Sequence, residues 1–157
     1  MRQGRRAAID VGKARVGLAI SDPQGILASP VATIARVEIA ETVKAAIAAL
    51  DDYSIIEAYV GLPVNLSGAK TESTVDAIAF AKELEAQAPF DVRLIDERMT
   101  TNTAAAGLRA SGRNVKNSRS VIDQAAAMVI LEHALSSEKN QGKAPGMSIA
   151  EVEESDV

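Results

Sequence analysis

The 157-residue chain has no cysteine, no tryptophan and a single histidine, His133. Without cysteine neither a disulfide framework nor a thiolate metal site can form, and one histidine is too few for a histidine-rich zinc centre. Any metal ion must therefore be held mainly by carboxylates. Carboxylate oxygens favour a hard ion, so the composition points to Mg²⁺ or Mn²⁺.

Aromatic residues and long apolar runs are also scarce. Two tyrosines and two phenylalanines leave few surfaces on which unpaired bases could stack, so a bound nucleic acid would be recognised by its backbone and shape. No apolar run reaches the roughly 18 residues of a membrane span. The basic N-terminus returns to charge at Asp10 without a signal-peptide pattern. We therefore expect a cytoplasmic protein with no membrane partner.

The net charge of −4 conceals two basic stretches. Residues 1–15 carry five cations and one acid, and residues 98–119 carry five cations and no acid. Residues 138–157 offset them with five acids and two lysines. Local basic patches indicate phosphate binding, and scattered solvated charge is the alternative until a fold brings the patches together.

Hydrophobic periodicity predicts alternating strands and helices. Short apolar runs rich in β-branched residues predict strands, and apolar residues spaced by three and four predict helices. The predicted strands span 7–9, 16–20, 26–34, 55–60 and 91–95. The predicted helices span 38–50, 71–88 and about 100–111, and a last helix opens at Ser118 or Ser120 with a buried stripe of Ile122, Ala125, Ala126, Val129 and a packed, structural His133.

This order of elements predicts an α/β fold with a five-stranded mixed sheet, in which three antiparallel strands are followed by parallel crossovers and helices flank the sheet. The order resembles the ribonuclease H-like fold, and we assign residues 1–137 to one such domain. Residues 138–157 lose the apolar pattern and are interpreted as an acidic, disordered tail. The carboxyl ends of the parallel strands would share one edge of the sheet, where ligands usually bind.

Carboxylates occur where this edge is predicted. Asp10 ends the first strand, Asp96 and Glu97 follow the fifth, and Asp123 lies near the start of the last helix. Close carboxylates repel and raise one another's pKa unless a cation lies among them. Two divalent ions roughly 3.5–4 Å apart are the usual arrangement where phosphodiesters are cut.

Each acid also has a purely structural explanation. Asp10 and Gly12 are ordinary turn residues, and Asp96 would be another. Asp123 would favour a helix N-terminus through the helix dipole, and Glu97 would pair with a neighbouring arginine at the surface. The interpretation as a site therefore depends on their convergence at one edge.

Four motifs carry a resemblance to a known family. They are IDVG at 9–12 with Gly17, GLP at 61–63 with Asn65 and Gly68, DER at 96–98 with Thr100, and DQAAA at 123–127. In this order, across about residues 5–137, the chain resembles the YqgF/RuvX family. Members of that family are described as Holliday junction resolvases and as nucleases that mature the 5′ end of pre-16S ribosomal RNA.

The resemblance implies a role for particular residues. Asp10, Glu97 and Asp123 would be the metal-binding catalytic acids, and the loop 61–68 with Asn65 would border the substrate groove. For that loop, a tight connection without a function is the alternative.

The chain departs from the wider ribonuclease H pattern at one position. Those enzymes place an acid at the end of the fourth strand, where this chain has Gly61 followed by Leu-Pro. The resemblance implies that the fifth strand supplies this carboxylate instead. Whether Glu97 or Asp96 does so stays open.

The leading hypothesis is a Mg²⁺- or Mn²⁺-dependent nuclease that acts on structured nucleic acid, with pre-16S rRNA favoured, in rRNA processing and ribosome biogenesis. The close alternative is a Holliday junction resolvase that cuts four-way DNA junctions in recombination and repair. The resolvase needs two active sites and hence a homodimer, whereas a monomer suffices for the nuclease. The residues expected to bind nucleic acid are Lys13, Arg15, Asn65, Arg98, Arg109, Arg113, Lys116 and Arg119.

Two other classes of function are also considered. A kinase or ATPase would share the fold, but Leu18 follows the GxxxxG spacing of Gly12 and Gly17 where a phosphate loop needs lysine. In addition, 157 residues cannot form two such domains around a cleft. A non-catalytic binding module would show no Mg²⁺-linked stabilisation that Asp10→Asn abolishes.

Overall fold

The computed structural model describes residues 1–64, 67, 69–97 and 119–154. The elements in these ranges are β1 (Arg5–Val11), β2 (Arg15–Ser21), β3 (Ala28–Ala35), α1 (Ile39–Leu50), a 3₁₀ turn (Asp51–Tyr53), β4 (Ile55–Leu62), α2 (Glu72–Gln87), β5 (Asp91–Asp96), α3 (Arg119–Gln141) and α4 (Ile149–Glu154). Every predicted strand has its counterpart, while the helix predicted at about 100–111 lies outside the described residues. Within those residues every helix is too short or too polar to traverse a lipid bilayer.

The strands form one mixed sheet in the order β3-β2-β1-β4-β5. β2 is antiparallel to both β1 and β3, because short turns join neighbouring strands in opposite directions. β4 runs parallel to β1, and β5 runs parallel to β4, because the helices α1 and α2 carry the chain back between them. The predicted five-stranded α/β sheet with a ribonuclease H-like strand order is therefore confirmed.

Alternate strand residues face two different helix layers. Ala7 and Ile9 of β1 pack with the core that includes α1 and α2, whereas Ala8 packs with α3. Tyr59 of β4 and Ile95 of β5 also lie in the α3 layer. Side chains along a strand alternate between the two faces of the sheet. A residue two positions further along the same strand therefore lies on the same face.

Helix α3 buries a different stripe from the predicted one. His133 is exposed, so its interpretation as a packed structural residue is wrong. Successive residues on a helix are about 100° apart. Because alanine occurs on several faces of the helix around His133, contact with the sheet decides which face is buried. Among the described side chains of the helix, the fully or largely buried ones are Ala127, Ile130, Leu131, Ala134, Leu135 and Glu138.

The prediction that the tail is disordered from residue 138 onward is wrong for residues 138–154. Helix α3 continues through Gln141, and Glu138 is only 2% exposed. Glu138 is ion-paired with Arg6 of β1, which is itself fully buried. The acid that suggested a solvated tail therefore belongs to the packed domain, and the division of the chain at residue 137 stays a prediction.

The residues after α3 cover the open edge of β5. The backbone of Met147 forms two hydrogen bonds with that of Leu94, at 2.8 and 2.9 Å. Gly146 has a φ of +73° and lies so close to the Leu94 carbonyl group that a Cβ would overlap it, which explains the glycine. Ile149 and Val152 of α4 then enter the main core.

Candidate active site

Two of the predicted catalytic acids lie on the same face of the sheet, at its carboxyl edge. Asp10 follows Ala8 by two residues in β1 and therefore faces α3. Glu97 lies one residue beyond β5, and its carboxyl group lies on the α3 side beside Gly61 and Ile130, whereas Asp96 is in register with Leu62 and belongs to the opposite face. Of the two neighbouring acids that the sequence leaves open, Glu97 is the one on the side of Asp10.

The side chains of Asp10 and Glu97 are hydrogen-bonded to each other. Burial raises the pKa of Asp10, and the charge of Asp123 raises it further. Burial also raises the pKa of Glu97, and the charge of Asp10 adds to that effect. The hydrogen bond between the two side chains lowers the pKa of Asp10 and raises the pKa of Glu97.

Gly61 at the end of β4 leaves the space that Glu97 occupies. A Cβ built on Gly61 would lie 2.7 Å from Cδ of Glu97 and 2.7 Å from Cδ1 of Ile130. The carboxyl group from beyond β5 thus lies against the backbone of β4. This contact explains in physical terms why a glycine stands where the wider fold carries an acid.

Asp123 comes close to this pair because α3 packs directly on the backbone of β2. Gly17 is the partner of Asp10 in the sheet, and a Cβ on Gly17 would lie 2.5 Å from the carbonyl carbon of Asp123. Gln124 donates from Nε2 to Oγ1 of Thr33 at 3.0 Å, which fixes the same turn of α3 to β3. Glycine at position 17 is therefore what permits the approach of the helix.

Arg15, the first residue of β2, is ion-paired with Asp123. Its Nε donates to Oδ2 of Asp123 at 2.9 Å, and the two side chains are 35% and 20% exposed. Lys13 lies on the same hairpin turn and is mostly exposed, with Nζ 3.9 Å from Oε2 of Glu72. The basic stretch at the N-terminus therefore reaches the acids at this edge.

Arg36 fixes the turn that follows Asp10, and the sequence analysis missed it. Its Nη1 donates to the carbonyl oxygen of Gly12 at 2.9 Å, and its two terminal nitrogens bind the carboxylate of Asp76 at 2.7 and 2.6 Å. The sequence pattern does not mark this residue, because its place beside the turn depends on the register of β2 and β3, in which Ala35 is the partner of Arg15.

The other side chains predicted to contact nucleic acid lie outside the described residues. The side chain of Arg119, where α3 begins, lies outside the described part of the chain. Outside it as well are Asn65, Arg98, Arg109, Arg113 and Lys116.

The donor chemistry of the site fits a hard divalent cation. Among the described residues no three acidic or histidine side chains are close enough together to hold one ion. Asp10 and Glu97 nevertheless form a half-buried pair of oxygen donors, and Asp123 is near enough for its charge to act on Asp10. A third ligand would become available if Asp123 left Arg15, so the side chains fit Mg²⁺ or Mn²⁺ in type.

Comparison with known proteins is consistent with this arrangement. Residues 4–137 match the sequence model of a family described as "RuvX: Holliday junction resolvase". A protein of Streptomyces avermitilis named "Putative pre-16S rRNA nuclease" is 50% identical over 153 residues, which cover 97% of this chain and 98% of the relative. A protein of the same name from Streptomyces coelicolor is 48% identical and is covered to 92%.

A solved structure shares the fold. It is described as "T. thermophilus RuvC in complex with Holliday junction substrate", and it aligns with a TM-score of 0.58 over 90% of this chain and 98% of its own. At 16% identity this likeness concerns the fold alone. Since the family match extends from the first strand to the last turns of α3, and the curated relatives match over nearly their whole length, this chain is a member of the RuvX family.

Proposed function

We propose that this protein is a divalent-metal-dependent nuclease that hydrolyses phosphodiester bonds in the cytoplasm, with the 5′ end of pre-16S rRNA as its substrate. The observation that carries the proposal is the approach of Asp10, Glu97 and Asp123 to one another at a single edge of the sheet. The names of the Streptomyces relatives supply the substrate class.

The acids are assigned complementary roles. Asp10 and Glu97 would hold the metal, and Asp123 would complete the ligand set. When bound, divalent ions supply an activated water and stabilise the leaving oxygen of the phosphodiester. Both carboxylates must be deprotonated to act as ligands, and their pKa values are raised, so metal binding would be favoured by a rise in pH.

Basic side chains would hold the phosphates of the substrate. Lys13 and Arg15 lie on the hairpin turn beside the acids. In the sequence, the stretch 98–119 follows Glu97 directly and ends four residues before Asp123. Its cations stay predicted phosphate contacts, and the shortage of aromatic side chains favours recognition through the nucleic-acid backbone.

A second candidate is cleavage of four-way DNA junctions by the same chemistry. The description of the matching family favours it. Symmetric cleavage of a junction needs two active sites, so this version of the function requires a homodimer.

One gel separates these functions. The full-length protein is incubated with end-labelled pre-16S leader RNA or with a labelled four-way DNA junction, each in Mg²⁺, Mn²⁺ or EDTA. Asp10→Asn and Glu97→Gln are run beside Asp96→Asn, a matched acid on the other face of the sheet. We expect metal-dependent cutting of the RNA that the first two variants lose and Asp96→Asn largely retains.

The other outcomes are equally informative. Symmetric cuts in the junction alone would replace the ribosomal substrate with the resolvase. Loss of cutting in Asp96→Asn together with activity in Glu97→Gln would reverse the assignment of the acid after β5. Binding of either substrate without any cutting would leave a non-catalytic module.

A further inference from the structure

Within the described part of the chain, Arg15 uses one of its five hydrogen-bond donors. A guanidinium group carries five N–H donors in a planar fork. Among the described residues its partner is Asp123, which accepts one hydrogen bond from Nε at 2.9 Å. Within the same part of the chain, the two terminal nitrogens of Arg15 make no hydrogen bond, and 35% of the side chain is exposed.

Arg36 shows what a purely structural arginine looks like beside the same turn. Its two terminal nitrogens both bind Asp76, and one of them also binds the carbonyl oxygen of Gly12. Its side chain is only 13% exposed. Arg36 therefore uses its fork for the fold, whereas the terminal nitrogens of Arg15 have no hydrogen-bond partner among the described residues.

Asp123 cannot serve two cations equally well. Its Oδ2 accepts from Arg15, and its negative charge acts on Asp10 at the same time. A metal ion held by Asp10 and Glu97 would compete with the guanidinium for this carboxylate, because the two positive charges repel each other and both are stabilised by the same acid. The Arg15–Asp123 pair is thus in competition with the metal site.

Resting on the nuclease function proposed above, we propose that Arg15 is a positioning residue that exchanges one partner for another. It binds Asp123 while the acids hold no metal ion, and it binds a phosphate group of the nucleic acid once Asp123 has turned to the metal. Arginine suits the second role because its fork matches two phosphate oxygens. The exchange makes metal binding and nucleic-acid binding strengthen each other by the same factor.

The test measures metal affinity rather than activity. Mn²⁺ is titrated calorimetrically into the full-length wild type and into Arg15→Gln, Arg15→Lys and Lys13→Gln. Lys13→Gln removes the same charge from the same turn, but its partner is Glu72 and not Asp123. We expect Arg15→Gln to bind Mn²⁺ roughly two- to five-fold more tightly than the wild type, the range set by an ion pair between partly exposed groups.

The controls separate the effect of the Arg15–Asp123 ion pair from the effect of removing a positive charge nearby. Lys13→Gln should tighten Mn²⁺ binding by less than about two-fold, since it alters only the screened local potential, and Arg15→Lys should stay near the wild type. In parallel, RNA binding is measured with Ca²⁺ and with EDTA. Ca²⁺ should strengthen RNA binding by the wild type and should have a smaller effect on Arg15→Gln, while the thermal midpoints verify that each variant is folded.

Two results would overturn the proposal for Arg15 and leave the proposed nuclease function standing. The first is Mn²⁺ binding by Arg15→Gln that is no tighter than that of Lys13→Gln. The second is an unchanged effect of Ca²⁺ on RNA binding in Arg15→Gln. Failure of the underlying function has a different signature, because the wild type would then show neither cleavage nor Mn²⁺ binding that Asp10→Asn removes, and this outcome would overturn both proposals.

Discussion

The strand β1 and the helix α3 approach each other at both ends of the sheet, and the charges that meet there differ. They are opposite in sign at the amino end and alike at the carboxyl end. At the amino end, Arg6 of β1 donates from Nη2 to Oε2 of Glu138 of α3 at 2.6 Å, and Arg2 binds the same carboxylate. At the carboxyl end, Asp10 of β1 approaches Asp123 of α3, and both are acids. The elements therefore attract each other at one end and repel each other at the other.

The pKa values follow this difference. Burial by itself would raise the pKa of Glu138, but hydrogen bonds from Arg2 and the charge of Arg6 bring it below its ordinary value. At the carboxyl end, burial and the neighbouring carboxylates act in the same direction and raise the pKa of Asp10 and Glu97. A cluster that the chain balances itself is structural, whereas a cluster that waits for an external cation is typical of an active site.

The largest expected effect comes from breaking the amino-end network. Glu138→Leu would leave the fully buried Arg6 without this carboxylate, and an unpaired buried charge costs about 3–5 kcal/mol of unfolding free energy. Urea denaturation measures the loss. Asp123→Asn removes an acid from the other end of the same helix and should change the unfolding free energy by less than about 1 kcal/mol.

A double variant identifies the cause of that loss. Arg6→Met combined with Glu138→Leu replaces the pair with apolar side chains and should recover most of the stability. If the double variant is as unstable as Glu138→Leu alone, packing at the end of α3 rather than the unpaired charge is responsible, and the contrast between the two ends loses its electrostatic basis.

A smaller effect is expected from two glycines at the carboxyl end. Gly17→Ala would force a methyl group into the backbone of α3 at Asp123, so we expect a loss of about 1–3 kcal/mol together with loss of cleavage. Gly61→Ala meets only the ends of the side chains of Glu97 and Ile130, which can move. It should cost less stability while still reducing cleavage, since it displaces Glu97.

Urea denaturation and cleavage assays on both variants examine this distinction. Wild-type stability in Gly17→Ala would mean that α3 does not rest on the backbone of β2 as described. Full activity in Gly61→Ala would mean that the position of Glu97 against β4 is not needed for the reaction.

Local patterns were sufficient to predict the frame of the molecule. Apolar runs and turn lengths indicate which strands are antiparallel and which are joined by helices, and the strand ends then bring Asp10 and the acids near β5 to one edge. The choice between Asp96 and Glu97 could not be made from the sequence. Glu97 lies beyond the end of β5, where strand alternation no longer applies, and its contact with Gly61 exists only in the folded chain.

Contacts between distant segments could not be predicted. The backbone pairing of Met147 with Leu94 uses no side chain and therefore leaves no pattern in the sequence. The arginine–aspartate pair of the site joins residues 108 positions apart, so spacing alone cannot indicate it. Glu138 appeared to be a solvated acid because its two arginine partners lie at the other end of the chain.

The smallest effect expected is a pH dependence of stability that originates at the carboxyl end. The folded-state pKa values of Asp10 and Glu97, about 6 and about 7, exceed those of carboxyl groups in an unfolded chain. The folded protein therefore holds more protons than the unfolded chain in this range, and without metal its stability falls as the pH rises from about 4 to about 7. We expect a loss of roughly 1–2 kcal/mol, discounted for solvent exposure.

Urea denaturation in EDTA at pH values across this range measures the loss, and the difference between the wild type and Asp10→Asn isolates the pair. The variant removes one of the two groups that repel, so it should be the more stable protein near pH 8 and should differ little from the wild type near pH 5. Glu138 does not interfere, because its lowered pKa makes its contribution disappear only as the pH falls below the ordinary carboxylate range. Addition of Mg²⁺ near pH 8 should restore the wild type and leave Asp10→Asn unchanged. If the two proteins show the same pH dependence, repulsion between the acids at the carboxyl end does not lower the stability of the fold. The contrast with the amino end would then be absent at the candidate active site.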